Sequence, residues 1–282
     1  MTEDWQNECL QFVGKQQRVT DELSPANTNM LFATLNDPQK LGKGDHLPPL
    51  FHWLHFNPIP STENLKPDGH EKLGVFLPPV PYPRRMWAGS KVTFLSPVVL
   101  GTLAERISTI ESVSFKSGKS GPLCFVNVKH SISQHGVECL TDTHTIVYRE
   151  ANNSVAVAKS IVDGGVVSEE FNHSVSSIVM FRYSALTFNS HRIHYDHDYV
   201  REQEGYPGLV VHGPLMATLL MRHALATHPE KVPTEFSFRG LAPMFEDEKF
   251  RINEKATGTA SDLSLQKYDG TDCVSANVVW RA

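Results

Sequence analysis

The stretch "NSHRIHYDHD" (189–198) places three histidines and two aspartates within ten residues. Side chains of these types bind metals, transfer protons or form a solvated polar turn. His191, His194 and His197 recur every three residues, which spreads them over a broad arc of a helix, whereas helical chelation uses positions i and i+4. A loop could still gather the three rings. We nevertheless predict no metal here, which leaves acid–base chemistry and a polar turn as the main interpretations.

The polar-turn interpretation applies best to the two flanking histidines. Histidine, arginine and aspartate side chains in a loop usually face water, and we expect this of His191 and His197. Asp196 would then cap a short helical turn within "HDYVREQEG" (197–205). His194 is different because of the motif in which it stands.

The motif around His194 resembles the signature of the MaoC-like hydratases and dehydratases of the hot-dog fold. The matching residues are "FNSHRIHYD" (188–196), followed by the His-Gly turn of "VVHGPL" (210–215). In that family an aspartate and a histidine hold a water molecule, which is added to or removed from the double bond of an enoyl thioester. The resemblance implies that His194 is the general acid/base.

The family's aspartate position is occupied by Asn189 in this chain. An amide cannot accept a proton from water, although its carbonyl oxygen can orient a water molecule. Either His194 alone transfers the proton, or Asp196 or Asp198 assists it. Our hypothesis is that His194 is the general acid/base and that Asn189 positions the water.

The thioester carbonyl needs support during this reaction, and Gly213 is the residue that we expect to provide it. Adding water to a C=C bond conjugated with C=O develops enolate charge on the carbonyl oxygen, which backbone N–H groups at a helix N-terminus stabilise. Gly213 precedes Pro214 and an apolar helical segment, and it has no side chain to block close approach. A plain helix start is the alternative role for this glycine.

The resemblance extends over nearly the whole chain past about residue 45. The segments "DGHEKLGVFLPPVPYPRRMWAGS" (68–90), "FKSGKSG" (115–121) and "FSFRGLAPMF" (236–245) are similar to one subgroup, the double hot-dog hydratases of C5 dicarboxylyl-CoA esters. This subgroup comprises mesaconyl-C4-CoA (3-methylfumaryl-CoA) hydratase and itaconyl-CoA hydratase, and the 3-hydroxyacyl-thioester dehydratases of fatty-acid synthesis lie close to it. The segment "TDTHTIVYRE" (141–150) departs from the subgroup pattern, which leaves the role of Asp142–Thr145 open.

The implied substrate carries a free carboxylate and the phosphates of CoA. Both groups call for Arg and Lys side chains near an otherwise apolar cleft, with Arg preferred for bidentate carboxylate binding. Each of these side chains could instead be an ordinary surface charge. The candidates are Arg84, Arg85, Arg182, Arg192 and Arg239, together with Lys116 and Lys119 in a Gly–Ser loop suited to phosphate.

Arg239 and Arg85 are the strongest of these candidates because both lie inside segments that match the subgroup. Trp87 could form a wall of the acyl pocket, or it could be an ordinary buried aromatic residue. No cofactor is expected.

The elements that must position these residues can be predicted from hydrophobic patterns. From Lys91 onwards, segments rich in Val, Ile, Phe and Thr alternate with short turns, which indicates an antiparallel meander. "EGYPGLVVHGPLMATLLMRHALATHP" (204–229) is the strongest helix signal, with Gly213 and Pro214 at the helix start. Four more strand-like segments follow this helix to the end of the chain.

The two halves of the chain resemble each other. "LSPVVLGTLAERI" (95–107) is similar to "LAPMFEDEKFRI" (241–252). An α+β unit used twice is the physical interpretation, and the family resemblance implies a double hot-dog, in which two antiparallel sheets each wrap a long helix. We predict an N-terminal hot-dog domain over 1–160, with a helical segment and a Pro-rich connector, and a catalytic C-terminal hot-dog domain over 161–282. The helix of the first half is expected before Pro60.

Composition narrows the functional classes. A net charge of -5 disfavours broad binding to nucleic-acid phosphates. Four scattered cysteines (Cys9, Cys124, Cys139 and Cys273) indicate a reducing compartment and no cysteine zinc site. The N-terminus has no apolar signal and no apolar stretch is long enough to cross a bilayer. We expect a soluble cytoplasmic protein with a small-molecule acyl-CoA substrate and neither a nucleic-acid nor a membrane partner, with a homodimer left open.

The sequence therefore predicts a hydratase that interconverts a C5 unsaturated dicarboxylyl-CoA, mesaconyl-C4-CoA or itaconyl-CoA, with citramalyl-CoA. One alternative is a fatty-acyl thioester dehydratase, which would need a long apolar tunnel and no arginine for a carboxylate. A second alternative is a non-catalytic acyl-CoA-binding module, which the missing aspartate favours.

Overall fold

The protein is described here by a computed structural model that covers residues 2–118, 121–151 and 171–281. Most of it is antiparallel sheet. The strands are β1 (Gln16–Asp21), β2 (Arg84–Phe94), β3 (Ala104–Gly118), β4 (Gly121–Gln134), β5 (Val137–Arg149), β6 (Pro233–Gly240), β7 (Phe250–Ala256), β8 (Ala260–Lys267) and β9 (Asp272–Trp280). The helices are α1 (Thr2–Leu10), α2 (Pro25–Thr34), α3 (Ser177–Leu186), α4 (His197–Glu202) and α5 (Gly213–Thr227).

The strands form where side chains alternate between the core and the opposite face. In β4 the buried positions include Cys124, Val126 and Val128, and the residues between them are partly exposed. This period of two is the pattern that predicted the strands, because successive side chains of a strand point to opposite faces. The predicted meander is confirmed, although β2 begins at Arg84 and so includes the "RRMWAG" segment.

The described strands form one continuous sheet in the order β1-β3-β4-β5-β2-β6-β9-β8-β7. Within it, two sets of four strands repeat the same arrangement, because the first strand of each set pairs with the fourth. We call the chain up to the end of β5 the first unit, with strand set β2 to β5. The chain from α3 onwards is the second unit, with strand set β6 to β9. The two sets join where Gly89–Thr93 of β2 pairs with Glu235–Arg239 of β6. The α+β double hot-dog class is confirmed, and its two sheets are joined edge to edge into one.

Equivalent backbone hydrogen bonds mark the repeat. Leu47 N donates to Val98 O, and Val211 N donates to Met244 O, each at 2.8 Å. The same pairing recurs at Cys139 O and Cys273 O, each of which accepts two backbone N–H groups from the loop after the first strand of its unit. The similarity between 95–107 and 241–252 therefore corresponds to a real structural repeat.

The central helix differs between the two units. In the second unit α5 begins at Gly213, as predicted, and buries Leu215, Leu220 and Ala224 against the sheet. In the first unit the chain after Leu47 forms only a 3₁₀ turn of four residues, Phe51–Leu54. The expectation of a long helix in each unit is therefore wrong for the first unit, where the chain before Pro60 supplies only the ten-residue α2 and this turn.

Three sequence predictions on chain organisation have different outcomes. The Pro-rich segment 76–83 forms neither helix nor strand, as expected of a connector. The predicted domain boundary after residue 160 falls within 152–170, outside the described residues, so the domain division stays a prediction. Over the described ranges, no helix has the length and apolar character needed to span a membrane.

Candidate active site

One cavity of about 580 Å³ lies between the two units and is lined by residues from both. Its second-unit wall carries the three predicted catalytic residues, Asn189, His194 and Gly213. Its first-unit wall includes β2 and the inner faces of β3 to β5. The structure therefore brings the predicted catalytic residues together in a shared space.

His194 is positioned by a 3₁₀ turn, Arg192–His194, and by one short hydrogen bond. Its Nδ1 lies 2.6 Å from Val210 O, so Nδ1 carries the proton and donates it to the carbonyl. Its Nε2 then has a free lone pair and no hydrogen-bond partner in the described part of the chain. Burial lowers the pKa of His194 to about 4, so the ring is neutral at pH 7 and able to accept a proton.

The His212 ring packs against the His194 ring. The imidazoles of His194 and His212 stack with their centroids 3.6 Å apart and their planes 17° apart. Nε2 of His212 is 2.8 Å from Ser184 Oγ, which holds it against α3, while its buried Nδ1 has no partner. Burial and the neighbouring His194 keep the pKa of His212 well below its ordinary value. The sequence analysis assigned no role to this residue.

The loop that carries Asn189 has an unusual backbone. Phe188 adopts a left-handed φ of 49°, which costs energy for an aromatic residue and places Asn189 at the cavity. Oδ1 of Asn189 accepts a hydrogen bond from the backbone N–H of His191 at 3.0 Å. The carbonyl that was expected to orient water is therefore already engaged, and the side-chain NH₂ is the free group that can donate to a water oxygen.

The alternatives for proton transfer involving Asp196 and Asp198 receive no geometric support. Asp196 accepts from Tyr199 N at 3.0 Å and binds Arg192 at 2.8 Å, so it caps α4 as predicted. Asp198 is exposed, and neither carboxylate lines the cavity.

The two flanking histidines differ in environment. His197 is exposed and pairs with Glu246 at 3.3 Å, which fits the expected polar role. His191 is buried at 8% exposure, so the expectation of a solvated side chain is wrong for it. Burial occurs because a distant turn of the chain, 67–70, covers it.

This covering turn contains Asp68 and His70, which the sequence analysis did not select. The His70 ring lies 3.9 Å from that of His191, and its Nδ1 is 3.2 Å from Asp68 Oδ2. Burial lowers the pKa of His70 to about 4. Gly69 makes the fit possible, because a Cβ there would lie 1.8 Å from Ser190 O.

Asp68, His70 and His191 also form a set of possible metal ligands, with ligand atoms within 4.8 Å of one another. The set differs from the triad considered from sequence, since His197 faces away. The rings of His70 and His191 are tilted by only 40° over 3.9 Å, so they pack face against face rather than converging on one point. The geometry therefore favours packing of the two rings over metal binding as the reason why these side chains lie close together.

Gly213 is the first residue of α5, and no side chain caps this helix end. A Cβ at this position would lie 3.7 Å from Trp87 O, which is ordinary van der Waals contact. The protein itself therefore leaves room for a side chain, so any need for glycine must come from a substrate that approaches the N–H. The role of Gly213 in binding the thioester oxygen stays a prediction.

Some of the predicted binding residues line the cavity and others do not. Arg85 and Trp87 of β2 line the cavity, and the Trp87 ring lies 4.0 Å from His144. Arg84 instead binds Glu204 and donates to Gln203 O at 2.7 Å.

The remaining candidates lie away from the cavity or outside the described residues. Arg182 on α3 and Arg239 at the end of β6 are exposed and do not line the cavity. Lys116 is on β3, where its Nζ lies 5.0 Å from the Phe125 ring centroid. Lys119 is not among the described residues. Since Arg239 was one of the two strongest candidates, its position favours Arg85 alone.

The first-unit wall of the cavity contains a buried carboxylate that the sequence analysis left open. Asp142 accepts from Trp53 Nε1 at 2.7 Å and contacts the ring nitrogens of His52 at 3.0 Å and His144 at 2.7 Å. Ser90 Oγ donates to the same carboxylate. These contacts hold the pKa of Asp142 well below its ordinary value despite burial, so it is ionised.

Comparisons with known proteins show the family to which the chain belongs. Residues 50–246 match the family model described as "Hydroxyacyl-thioester dehydratase type 2". A relative named mesaconyl-C(4)-CoA hydratase, from Chloroflexus aurantiacus, is 42% identical over 279 residues, which cover 98% of this chain and 97% of the relative. The chain belongs to the hydroxyacyl-thioester dehydratase type 2 family.

Solved structures support the fold assignment of this family member. A MaoC-like dehydratase superposes with a TM-score of 0.70 at 15% identity, covering 95% of this chain and 98% of that one. A Mycobacterium tuberculosis protein described as having a double hot-dog fold gives a TM-score of 0.59 at 10% identity, with 95% and 96% of the chains covered. At these identities the likeness concerns the fold.

The sequence revealed the His194 motif but not the residues of the turn that covers His191. The His194 motif was recognisable because its residues are adjacent in sequence. Asp68 and His70 stand in the matched segment "DGHEKLG" (68–74), but their proximity to His191 depends on contacts across 121 positions, such as Ser190 Oγ to Gly69 O at 2.6 Å. Local spacing carries no signal of that kind.

Proposed function

We propose that the protein is a hydro-lyase that adds water reversibly to a C5 unsaturated dicarboxylyl-CoA thioester to give citramalyl-CoA. Mesaconyl-C4-CoA is the preferred substrate because its double bond is already conjugated with the thioester, as this chemistry requires. One observation carries the proposal: the free Nε2 of neutral His194 faces the cavity that also contains the open N-terminus of α5 at Gly213. The name of the Chloroflexus relative supports the same substrate class.

His194 performs the proton transfers in this mechanism. Its Nε2 removes a proton from water while the water oxygen bonds to the β-carbon. The C=C electron pair moves to the carbonyl oxygen and forms an enolate. The imidazolium then returns the proton to the α-carbon as the carbonyl re-forms, so that one histidine serves as base and acid. No carboxylate side chain takes part in the proton transfers.

Gly213 and Asn189 assist at the two ends of the reacting group. The Gly213 N–H donates to the thioester oxygen as enolate charge develops, at the positive end of α5. The free amide NH₂ of Asn189 donates to the oxygen of the attacking water and orients it. These roles follow from position in the cavity and from unused donors.

Arg85 and Trp87 are proposed to bind the substrate. Arg85 lines the cavity and makes no hydrogen bond or ion pair to any described residue. Its charge lies close enough to His70 and His191 to lower the pKa of both rings. It is therefore placed to bind a negatively charged part of the substrate near the histidine cluster, while Trp87 forms the wall between this cluster and His144.

We propose a cytoplasmic setting for the protein. The four cysteines are free and buried, which suits a reducing compartment such as the cytoplasm. Binding of an acyl-CoA as a small-molecule partner follows from the proposed reaction. A homodimer stays a prediction to be tested by the mass of the protein in solution.

The test of function is a direct assay with four thioesters. The purified protein is incubated separately with mesaconyl-C4-CoA, itaconyl-CoA, citramalyl-CoA and crotonyl-CoA, and absorbance of the conjugated thioester is followed. We expect hydration of mesaconyl-C4-CoA and the reverse reaction with citramalyl-CoA. Turnover of crotonyl-CoA alone would reject the dicarboxylate assignment in favour of the fatty-acyl dehydratase. Binding of every thioester without turnover would favour the non-catalytic module.

A further inference from the structure

A half-buried arginine on the first-unit wall of the cavity has no hydrogen-bond partner among the described residues. Arg106 of β3 lines the cavity, and its buried Nε has no acceptor. None of its N–H groups forms a hydrogen bond or an ion pair with the described residues. Its guanidinium lies over the Phe56 ring, whose centroid is 5.5 Å from Cζ. A guanidinium carries five N–H donors in a fixed fork, and here all of them are unused.

An unused guanidinium in this place needs an explanation. Burial lowers the pKa of Arg106 to about 10, so the group is still charged at neutral pH. The side chain is only half-buried, but its Nε is closed to solvent and has no acceptor, and a buried donor left without an acceptor costs free energy. The cavity beside it supplies the space for an anion.

The neighbouring carboxylates are already saturated. Asp142 is held by His52, Trp53, His144 and Ser90. The other nearby carboxylate is Asp21. It accepts from Leu23 N at 2.7 Å and from Phe56 N at 2.8 Å. Both acids act on Arg106 through space, but neither closes a hydrogen bond with it.

The histidines around Asp142 are also engaged with one another. His144 Nδ1 lies 3.2 Å from His130 Nε2, and His130 Nδ1 lies 2.8 Å from Ser108 Oγ. If His144 donates to Asp142, one consistent direction of donation runs from Ser108 through His130 and His144 to Asp142. Each acceptor in this hydrogen-bonded series takes its proton from a donor within the series. Arg106 is the only lysine or arginine among the cavity-lining residues that β3, β4 and β5 contribute.

We propose that Arg106 binds the free carboxylate of a dicarboxylyl thioester and thereby selects this substrate class over uncharged acyl groups. The inference rests on the proposed function, and it assigns the carboxylate to the first-unit wall of the cavity, which His194 also lines. A bidentate Arg–carboxylate pair fits the fork of unused donors. Asp142 does not oppose the ligand strongly, because four hydrogen-bond donors surround its charge.

The test uses two saturated thioesters that differ at one group. Succinyl-CoA carries a carboxylate on the β-carbon where butyryl-CoA carries a methyl group, and neither has a double bond to hydrate. Dissociation constants for both are measured by titration calorimetry on wild type, Arg106→Gln and Arg106→Lys. We expect wild type to prefer succinyl-CoA and Arg106→Gln to lose this preference by about 100-fold, as for removal of one partner of a buried charge pair. Arg106→Lys should retain part of it.

Two further variants locate the effect. Arg18→Gln removes an exposed arginine from the neighbouring strand β1 and should leave the preference unchanged. Arg85→Gln removes the other unpaired guanidinium of the cavity. If Arg85→Gln abolishes the preference and Arg106→Gln retains it, the carboxylate site lies at Arg85 and our assignment is overturned. Thermal unfolding curves check that each variant is folded.

The two proposals fail in distinguishable ways. A wild-type protein that prefers succinyl-CoA but does not hydrate mesaconyl-C4-CoA would contradict the hydratase function and support the role of Arg106. A protein that hydrates mesaconyl-C4-CoA equally well with and without Arg106 would contradict only the carboxylate site. Equal affinity of wild type for succinyl-CoA and butyryl-CoA would also overturn it.

Discussion

The imidazoles of His194 and His212 are stacked at 3.6 Å, nearly parallel, in a buried site where neither ring faces a carboxylate. Burial disfavours a positive charge on either ring; the charge of His70 adds to this effect at His194, and the charge of His194 adds to it at His212. This explains why the base is neutral at physiological pH, and it means that the imidazolium formed during catalysis is short-lived. A ring that readily returns its proton suits a reaction in which one histidine is base and then acid.

Replacing His194 should abolish most of the activity. The free Nε2 is the only proton acceptor that our mechanism uses, so His194→Gln is expected to lower kcat by roughly 10²–10⁴-fold on mesaconyl-C4-CoA. The measurement is a steady-state rate from thioester absorbance. His197→Gln is the matched control, because His197 belongs to the same ten-residue stretch but is exposed, and it should retain wild-type kcat. Comparable activity of the His194 variant would remove this residue from the mechanism.

The pH dependence of activity should reflect the low pKa of His194. Because burial lowers this pKa to about 4, the basic form predominates above that value. The acid limb of kcat/KM is therefore expected near pH 4 to 5, well below the ordinary histidine value of about 6.5. The measurement is kcat/KM between pH 4 and pH 8 in buffers of constant ionic strength. An acid limb centred at pH 6.5 would contradict the environment described for this ring.

Stability should also depend on the buried neutral histidines. His70 and His194 have a folded-state pKa of about 4, whereas the unfolded chain binds protons at about 6.5. As the pH falls from 6.5 towards 4, the unfolded state takes up protons that the folded state does not. The free energy of unfolding should then fall by up to about 1.4 kcal/mol per pH unit for each ring. Urea unfolding at pH 7.5 and 5.0 measures this, and equal midpoints would contradict it.

Gly69 should be required for the turn that covers His191. A Cβ there would lie 1.8 Å from Ser190 O, so Gly69→Ala must separate the two segments and should lower both stability and kcat. Gly44→Ala is the control, since Gly44 also has a positive φ but no atom within 4 Å of a Cβ. Each variant carries the backbone penalty of about 1–2 kcal/mol. We expect only Gly69→Ala to show an additional loss, measured by urea unfolding and by rate.

We expect Arg106 to favour substrate binding and to lower the free energy of unfolding of the ligand-free protein. Arg106→Met removes a charged group without a partner and keeps an unbranched side chain of similar length. We expect the free energy of unfolding of the ligand-free protein to rise by about 1 kcal/mol, because the variant removes a buried Nε donor that has no acceptor. Arg18→Met, on the exposed side of β1, should change it little. A marked loss of stability in Arg106→Met would show that the guanidinium has a structural partner.

Sequence patterns were sufficient for features that depend on neighbouring residues. Alternating Val, Ile and Phe predicted the strands, and Gly213–Pro214 marked the start of α5 because glycine and proline act locally on the backbone. The helix α3 was missed. Its sequence "SIVMFRYSAL" (177–186) leaves Ile178 and Phe181 exposed, so its apolar residues do not follow one helical face.

Features that depend on which strand faces meet were beyond the sequence. Arg106 and Arg239 both lie in strands, but the first faces the space between the units and the second faces solvent. The packing of the two units around the cavity decides this, and local strand patterns do not reveal it. The resemblance pointed to Arg239 because of its matched segment, and it gave no weight to Arg106, whose environment is formed by Asp142 and Phe56.

The unequal central helices of the two units have an evolutionary consequence. A duplicated chain begins with two equivalent copies, yet among the described residues only the second unit has a long helix, and its N-terminus is the one that we propose for binding the thioester oxygen. The first copy, with a 3₁₀ turn in place of that helix, presents His52 and Trp53 to a polar wall instead. In our proposal the second unit carries the proton-transfer residues and the first unit binds the free carboxylate of the substrate. Selection can therefore alter substrate choice in the first copy while the proton-transfer machinery of the second is inherited unchanged.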